Sequence, residues 1–135
     1  MAESQLAIAR RMVECLNARD WEALSRLVAE DFEWHTARGI RSSRTLHGVS
    51  ELRTWWETDV GESWDLSRSR DEVVQAEDAE GGVILRTRSV DYGRSSGVRT
   101  ESERGVIVTF AGDRIQSFRV FLTVEDARRA AGLAH

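Results

Sequence analysis

The sequence predicts an α+β fold in which N-terminal helices pack against a mostly antiparallel sheet and close a central pocket. Apolar residues recur at helical spacing near the N-terminus, whereas later segments alternate with the period of strands. The predicted strands also place polar and apolar side chains on the same inner face, and buried polar groups need partners. A cavity beneath the helices accounts for this mixed face. A twisted sheet whose distal end is simply solvated is the alternative.

Length and composition narrow the class of protein. The 135 residues predict one domain, 1–135, and the net charge of -4 argues against nucleic-acid binding. All basic residues are arginine, which excludes a Schiff-base lysine. We expect a cytoplasmic protein, because no stretch is long enough to span a membrane and residues 1–11 lack the apolar core of a signal peptide. Cys15 is the single cysteine, and we expect it to be a buried, small apolar residue.

Four helices are predicted from apolar spacing and from capping residues at the helix ends. They cover residues 4–18, a short stretch after Asp20, a stretch from Gly48 to near Gly61, and a short stretch between Thr123 and Gly132. Five strands are predicted at 32–36, 66–76, 83–92, 98–110 and 115–122. The segment 37–47 is predicted as a polar connection, and long connections of this kind often cover a site.

A hairpin turning at residues 93–97 sets a register for the two longest strands. Arg88 then lies opposite Glu103, and Tyr92 lies opposite Arg99. The other face of the hairpin faces the helices, and a slip by one residue would exchange the two faces. With two tryptophans from earlier elements, the predicted cavity is bordered by Trp34, Trp56, Ser89, Asp91, Ser102 and Arg104.

Three of the polar residues are candidates for chemistry. Asp91 is the candidate general base and Arg104 the candidate anion stabiliser, although a solvated carboxylate and a structural ion pair are the alternatives. His35 has the side chain best suited to act as a base near pH 7. Strand alternation, however, turns His35 away from the side of Trp34, and a surface or helix-packing histidine is the alternative.

Several sequence segments resemble the nuclear transport factor 2-like superfamily and its SnoaL-like branch. The matching segments are LNARDW at 16–21, LVAEDFEW at 27–34, HG at 47–48, FAGDRI at 110–115 and VEDARRAAGL at 124–133. The resemblance implies a cone-like curved antiparallel sheet whose mouth is closed by the N-terminal helices. Members include ketosteroid isomerases, polyketide cyclases, epoxide hydrolases, dehydratases and binding modules without activity, so the fold does not determine the function.

The resemblance also implies where the catalytic residues of a ketosteroid isomerase would fall in this sequence. At each of these positions this chain has a different residue. The general-base aspartate would fall on Thr36, the oxyanion-hole tyrosine on Met12 and the protonated aspartate on or near Val106. A pocket tyrosine would fall on Trp56, which keeps the aromatic wall without the hydroxyl. We therefore expect Thr36, Met12 and Trp56 to line a pocket for substrate rather than to transfer protons.

Three hypotheses about function remain open at this point. The first is a cofactor-free acid–base enzyme acting on a hydrophobic carbonyl or polycyclic compound, the second a binding module for such a ligand, and the third a structural dimer. No metal ion or cofactor is expected, because His and Cys residues are few and widely spaced. A homodimer is expected, through an outer sheet face that carries Arg86, Arg88, Val90, Glu101 and Glu103.

Overall fold

The computed structural model describes residues 4–38 and 43–133 and begins with two helices. These are α1 (Gln5–Ala18) and α2 (Trp21–Leu27). The Ser4 side chain caps α1 and the Asp20 side chain caps α2, each accepting a backbone N–H at 3.1 Å. Arg19 has a φ of 53°, and this left-handed residue ends α1 and redirects the chain into α2. Both predicted helices and the Asp20 cap are confirmed.

The third helical segment is continuous but not uniform. It consists of α3 (Gly48–Trp55), one π-helical turn (Trp56–Val60) and α4 (Gly61–Ser63). The predicted helix from Gly48 to near Gly61 is confirmed in extent. The π-helical turn was not predicted, and such turns are frequent at functional sites.

Six strands form one curved, open sheet. They are β1 (Val28–Arg38), β2 (Thr45–His47), β3 (Arg70–Ala79), β4 (Gly82–Tyr92), β5 (Arg99–Ala111) and β6 (Arg114–Phe121). The strand order is β2-β1-β6-β5-β4-β3, and every neighbouring pair is antiparallel except β1 and β6. The closing helix α5 (Val124–Ala130) is capped by the Thr123 hydroxyl at 3.1 Å, as predicted. The α+β class is confirmed.

Two predicted segments are wrong in detail. The connection 37–47 contains strand β2, because Thr36 and Arg44 join β1 to the returning chain through a backbone bond of 3.0 Å and hydroxyl contacts. Residues 39–42 of that connection lie outside the described residues. Strand β3 begins at Arg70 rather than at 66, because Asp65 organises the preceding turn by accepting the Ser67 N–H at 3.1 Å.

The predicted hairpin register is confirmed. Arg88 pairs with Glu103 and Tyr92 with Arg99 as backbone neighbours. In its ion pairs, however, Arg88 contacts Glu72, its backbone neighbour on β3, and, diagonally at 3.5 Å, Glu101 on β5. The register therefore gives the faces of the hairpin correctly, although Arg88 and Glu103 are not partners in an ion pair.

The main core fills the space between the helices and the inner face of the sheet. Its fully buried side chains include Met12, Leu24, Phe32, Leu52, Leu85 and Ile115. Cys15 is half-buried at the edge of this core, and burial raises the pKa of its thiol. A smaller cluster of Ile84, Ile107, Phe121 and Ala127 lies on the outer face, where α5 covers it. Across residues 4–38 and 43–133, no helix has the length and apolar character to cross a membrane.

Candidate functional site

A cavity of about 200 Å³ lies between the helices and the inner face of the sheet. One wall is aromatic and comes from β1, β6 and the third helical segment: Trp34, Phe118, Trp55 and Trp56. The other wall is polar and comes from β3, β4 and β5: Asp71, Thr87, Ser89, Asp91 and Arg104. The cavity therefore combines a flat apolar surface with a small group of charged side chains, which is typical of small-molecule sites.

The aromatic wall is built from rings in mutual contact. Trp34 stacks on Phe118 with ring centroids 4.4 Å apart, because the parallel pairing of β1 and β6 places these residues side by side. Trp56 meets Trp34 edge-on at 6.1 Å and meets Trp55 edge-on at 6.1 Å. Trp55 ends α3 and Trp56 begins the π-helical turn, so two consecutive tryptophans border the same cavity.

Asp71 is the central residue of the polar wall. Its carboxylate accepts a hydrogen bond from the Ser89 hydroxyl on the neighbouring strand β4. Its backbone is clamped to α1, since Asn17 accepts the Asp71 N–H at 2.8 Å and donates to the Asp71 carbonyl at 2.8 Å. A bulge in β3 between Val73 and Gln75 keeps Asp71 on the inner face together with the apolar residues that follow it. Asp71 is thus fixed in position by two other elements.

The environment of Asp71 favours its protonated form. Loss of hydration raises the pKa of this half-buried carboxyl group, and the nearby negative charge of Asp91 raises it further. The hydrogen bond from Ser89 and the positive charge of Arg104 act in the opposite direction. The net shift is upward from the usual value of an aspartate. A carboxyl group of raised pKa in a cleft is a common property of acid–base sites.

The structure brings five of the six predicted cavity residues together around this cavity: Trp34, Trp56, Ser89, Asp91 and Arg104. Ser102 pairs with Ser89 but is not among the lining residues. Near the hairpin tip the cavity is lined by residues of β3 and β4, whereas β5 contributes only Arg104 and Val106. Ser102, closer to the tip on β5, therefore lies outside the lining. What each of the five residues does stays a prediction.

Three other candidate residues do not line the cavity: Met12 and Thr36, which were expected there, and His35, which strand alternation already turned to the other face. Met12 is fully buried in the main core, on the face of α1 that packs against the sheet. The Thr36 hydroxyl is used in joining β1 to Arg44, with contacts of 3.1 and 2.7 Å to its backbone. His35 points to the opposite face of β1, where its ring nitrogens contact Glu33 and Thr45, each at 3.1 Å. All three have structural partners elsewhere.

Sequence reasoning missed Asp71 and Asn17. The available signal for Asp71 was its pairing partner, because the residue opposite Ser89 on β3 must share the predicted inner face. Within the residues that the structure describes, no group of three or more His, Cys, Asp or Glu side chains is arranged to hold a metal ion.

Comparison with known proteins decides the family. The model of the SnoaL-like domain matches residues 9–118. The chain belongs to the SnoaL-like family. The match includes the N-terminal helices and most of the sheet, and hence nearly every residue that lines the cavity of this SnoaL-like protein. Among curated proteins none matches the chain.

Solved structures share the fold of this SnoaL-like protein at low sequence identity. An NTF2-like protein of unknown function from Burkholderia pseudomallei K96243 is 15% identical, with a TM-score of 0.75 over 94% of this chain and 96% of that one. A protein with a ketosteroid isomerase-like fold from Catenulispora acidiphila, in complex with trimethylamine, is 13% identical, with a TM-score of 0.70 over 98% and 95%. Bal32a, from a soil-derived mobile gene cassette, is 18% identical, with a TM-score of 0.66 over 86% of each chain. These identities establish the fold alone.

Proposed function

We propose that this SnoaL-like protein is a cofactor-free enzyme that moves protons on a small, flat, largely apolar carbonyl compound. The observation that carries the proposal is the position of Asp71. This half-buried carboxylate is fixed by Ser89 and Asn17 and faces the same cavity as the tryptophans. Enzymes tune carboxyl groups in this way because a general base works best when its pKa lies close to the working pH.

In the proposed reaction Asp71 removes a proton from the carbon next to the ligand carbonyl. The electron pair of the broken C–H bond moves to the carbonyl oxygen and forms an enolate. The positive charge of Arg104, on the same polar wall, stabilises the enolate, and Asp71 then returns the proton. The sequence pointed to Asp91 as the base. We assign that role to Asp71 instead, and Asp91 acts on it by raising its pKa.

The size of the cavity favours a ligand of one or two rings. At the packing density of protein interiors, a cavity of about 200 Å³ holds on the order of ten non-hydrogen atoms. A four-ring steroid does not fit wholly inside this space, whereas a smaller ring system does. Bicyclic aromatic ketones combine a matching size with the flat apolar surface that Trp55 and Trp56 offer.

Exchange of substrate hydrogen for deuterium tests the proposal without knowledge of the final product. A panel of bicyclic ketones, incubated with the protein in D2O, should gain deuterium next to the carbonyl, as followed by NMR. The Asp71→Asn variant should lose about 10²-fold or more of the rate. Asp78→Asn is the matched control, because Asp78 lies exposed on the same strand. A full rate in Asp71→Asn would overturn the role of Asp71.

A second candidate function is binding without catalysis, with a methylated ammonium as ligand. Tryptophan faces beside two carboxylates, Asp71 and Asp91, are the chemistry that recognises such cations. The Catenulispora acidiphila protein of the same fold was solved with trimethylamine. Calorimetric titration with trimethylamine separates the two candidates. Binding of the amine, together with no exchange in any ketone, would favour the binding module.

A further inference from the structure

Trp34 carries a buried hydrogen-bond donor that the protein does not use. Its side chain is only 5% exposed, and within the described residues its Nε1–H has no acceptor. Within the described residues, Arg86 Nε is the other buried side-chain atom without a hydrogen-bond partner. Its guanidinium group, however, still contacts Glu103 through another nitrogen at 3.5 Å. The indole of Trp34 has only the one polar atom. Leaving it unpaired costs free energy, because the N–H loses its bond to water on burial.

The Trp34 ring has little freedom to find a partner within the protein. One face stacks on Phe118, and Trp56 meets the ring edge-on with an interplanar angle of 89°. Trp55 packs against it at 6.5 Å. These neighbours are hydrocarbon or indole surfaces, and they offer no strong acceptor. All four residues border the cavity, so the cavity is the remaining source of an acceptor.

We propose that the Trp34 Nε1–H donates a hydrogen bond to an oxygen of the bound ligand, and that the ligand is therefore a ketone whose carbonyl is directed towards the aromatic wall. This inference rests on the proposed function, because it names the substrate class of the same site. The cavity is small enough for one molecule of about ten non-hydrogen atoms to contact Asp71 and Trp34 together.

The proposal also adds a residue to the reaction. When Asp71 withdraws a proton, negative charge collects on the carbonyl oxygen. A donor already aimed at that oxygen binds the enolate more tightly than the ketone, because charge-assisted hydrogen bonds are the stronger ones. Trp34 would then hold the oxygen directly, while Arg104 acts on its charge from the polar wall.

A matched pair of probes tests the proposal on the intact chain of 135 residues. 1-Tetralone and tetralin share a ring skeleton and differ in the carbonyl oxygen. In 1H–15N spectra, 1-tetralone should shift the indole N–H resonance of Trp34 downfield and slow its exchange with solvent, whereas tetralin should do neither. The Trp34→Phe variant identifies the resonance, and its own spectrum shows whether it is folded. Binding of 1-tetralone should exceed that of tetralin by about tenfold or more.

The variants give the comparison its control. The preference for the ketone should disappear in Trp34→Phe and persist in Trp64→Phe, which alters another tryptophan of the same cavity. An unmoved Trp34 resonance, equal binding of the two probes, or no binding of either would overturn the proposal, since only water would then fill the role of acceptor. Deuterium exchange with an unmoved Trp34 resonance removes this inference and keeps the proposed function. A shifted Trp34 resonance without deuterium exchange in the ketone removes the proposed function and keeps this inference.

Discussion

Asp71 is the residue at which stability and the proposed chemistry oppose each other. Its pKa is raised in the folded protein, so the folded chain holds the proton more tightly than the unfolded chain does. The stabilisation from that proton is complete below the usual carboxyl pKa. It is lost as the pH rises through the pKa of the folded state. At neutral pH an ionised Asp71 therefore lowers the free energy of unfolding.

Replacing Asp71 by Asn should stabilise the protein at neutral pH. The amide keeps the shape of the side chain and removes its negative charge, which is unfavourable because burial strips it of hydration. The expected gain at pH 7 is roughly 0.5–2 kcal/mol, the usual range for single stabilising substitutions. The gain should vanish near pH 3, where Asp71 is neutral in both states. Urea denaturation between pH 3 and 8 measures this difference.

Asp65 provides a control of opposite sign. Hydrogen bonds from Ser67 lower the pKa of this carboxyl group, so its stabilisation is present above the usual pKa and is lost as the pH falls. Asp65→Asn should therefore be less stable than the unaltered protein at pH 7. If Asp71→Asn also proved less stable at pH 7, the hydrogen bond from Ser89 would outweigh the cost of burying the charge.

At the scale of elements, Gly105 determines how closely α5 approaches the sheet. A Cβ atom at this position would lie 2.5 Å from the Thr123 carbonyl oxygen and 2.5 Å from the Val124 Cα. Both are backbone atoms, so no side-chain rotation relieves the contact. Only a residue without a Cβ atom lets α5 cover the outer cluster that includes Ile107 and Phe121.

Gly105→Ala should displace α5 and destabilise the protein by about 1–3 kcal/mol, the usual cost of overpacking. Thermal unfolding measures the loss, and hydrogen exchange should show faster exchange in α5. Glu103→Ala is the control, because it places an alanine on the same face of β5 and removes only an exposed ion pair with Arg86. Equal stability of the two variants would show that the packing of α5 does not depend on Gly105.

The elements that could be predicted from the sequence are those marked by patterns among residues close together in the chain. The apolar spacing within residues 4–18, the cap at Asp20 and the alternation along β4 and β5 predicted helices and a register that the structure confirms. Strand β2 could not be found in this way, because three residues have no periodicity and exist as a strand only through pairing with β1. Asp71 was missed for the same reason, since its position depends on pairing with Ser89 and on a bulge.

At the scale of the whole molecule, the outer face of the sheet is an array of ion pairs that α5 leaves uncovered at the hairpin end. Arg88 contacts Glu72 and Glu101, and Arg99 contacts Glu101 at 3.1 Å. Each of these side chains is more than 40% exposed. Pairs as exposed as these contribute little within one chain, so they can exchange partners with a second copy at small cost.

We propose that two copies of the chain pair through this outer face, and light scattering at micromolar concentration should show a dimer. Arg88→Ala should weaken the dimer, because it removes the arginine shared by two acidic partners. High salt should act in the same direction. Arg53→Ala is the control, since Arg53 pairs with Glu57 on the third helical segment. A monomer at micromolar concentration contradicts this proposal.

The parallel pairing of β1 with β6 has a consequence for the order in which the protein is made. Asp31 on β1 and Gln116 on β6 are in contact although 85 residues separate them in the chain. The stack of Trp34 on Phe118 depends on the same pairing. During synthesis from the N-terminus, β1 can pair early with β2, but its second neighbour, β6, leaves the ribosome only after the intervening strands have been made. Contacts so distant in sequence slow folding, so the cavity bordered by this stack assembles only after β6 has been made.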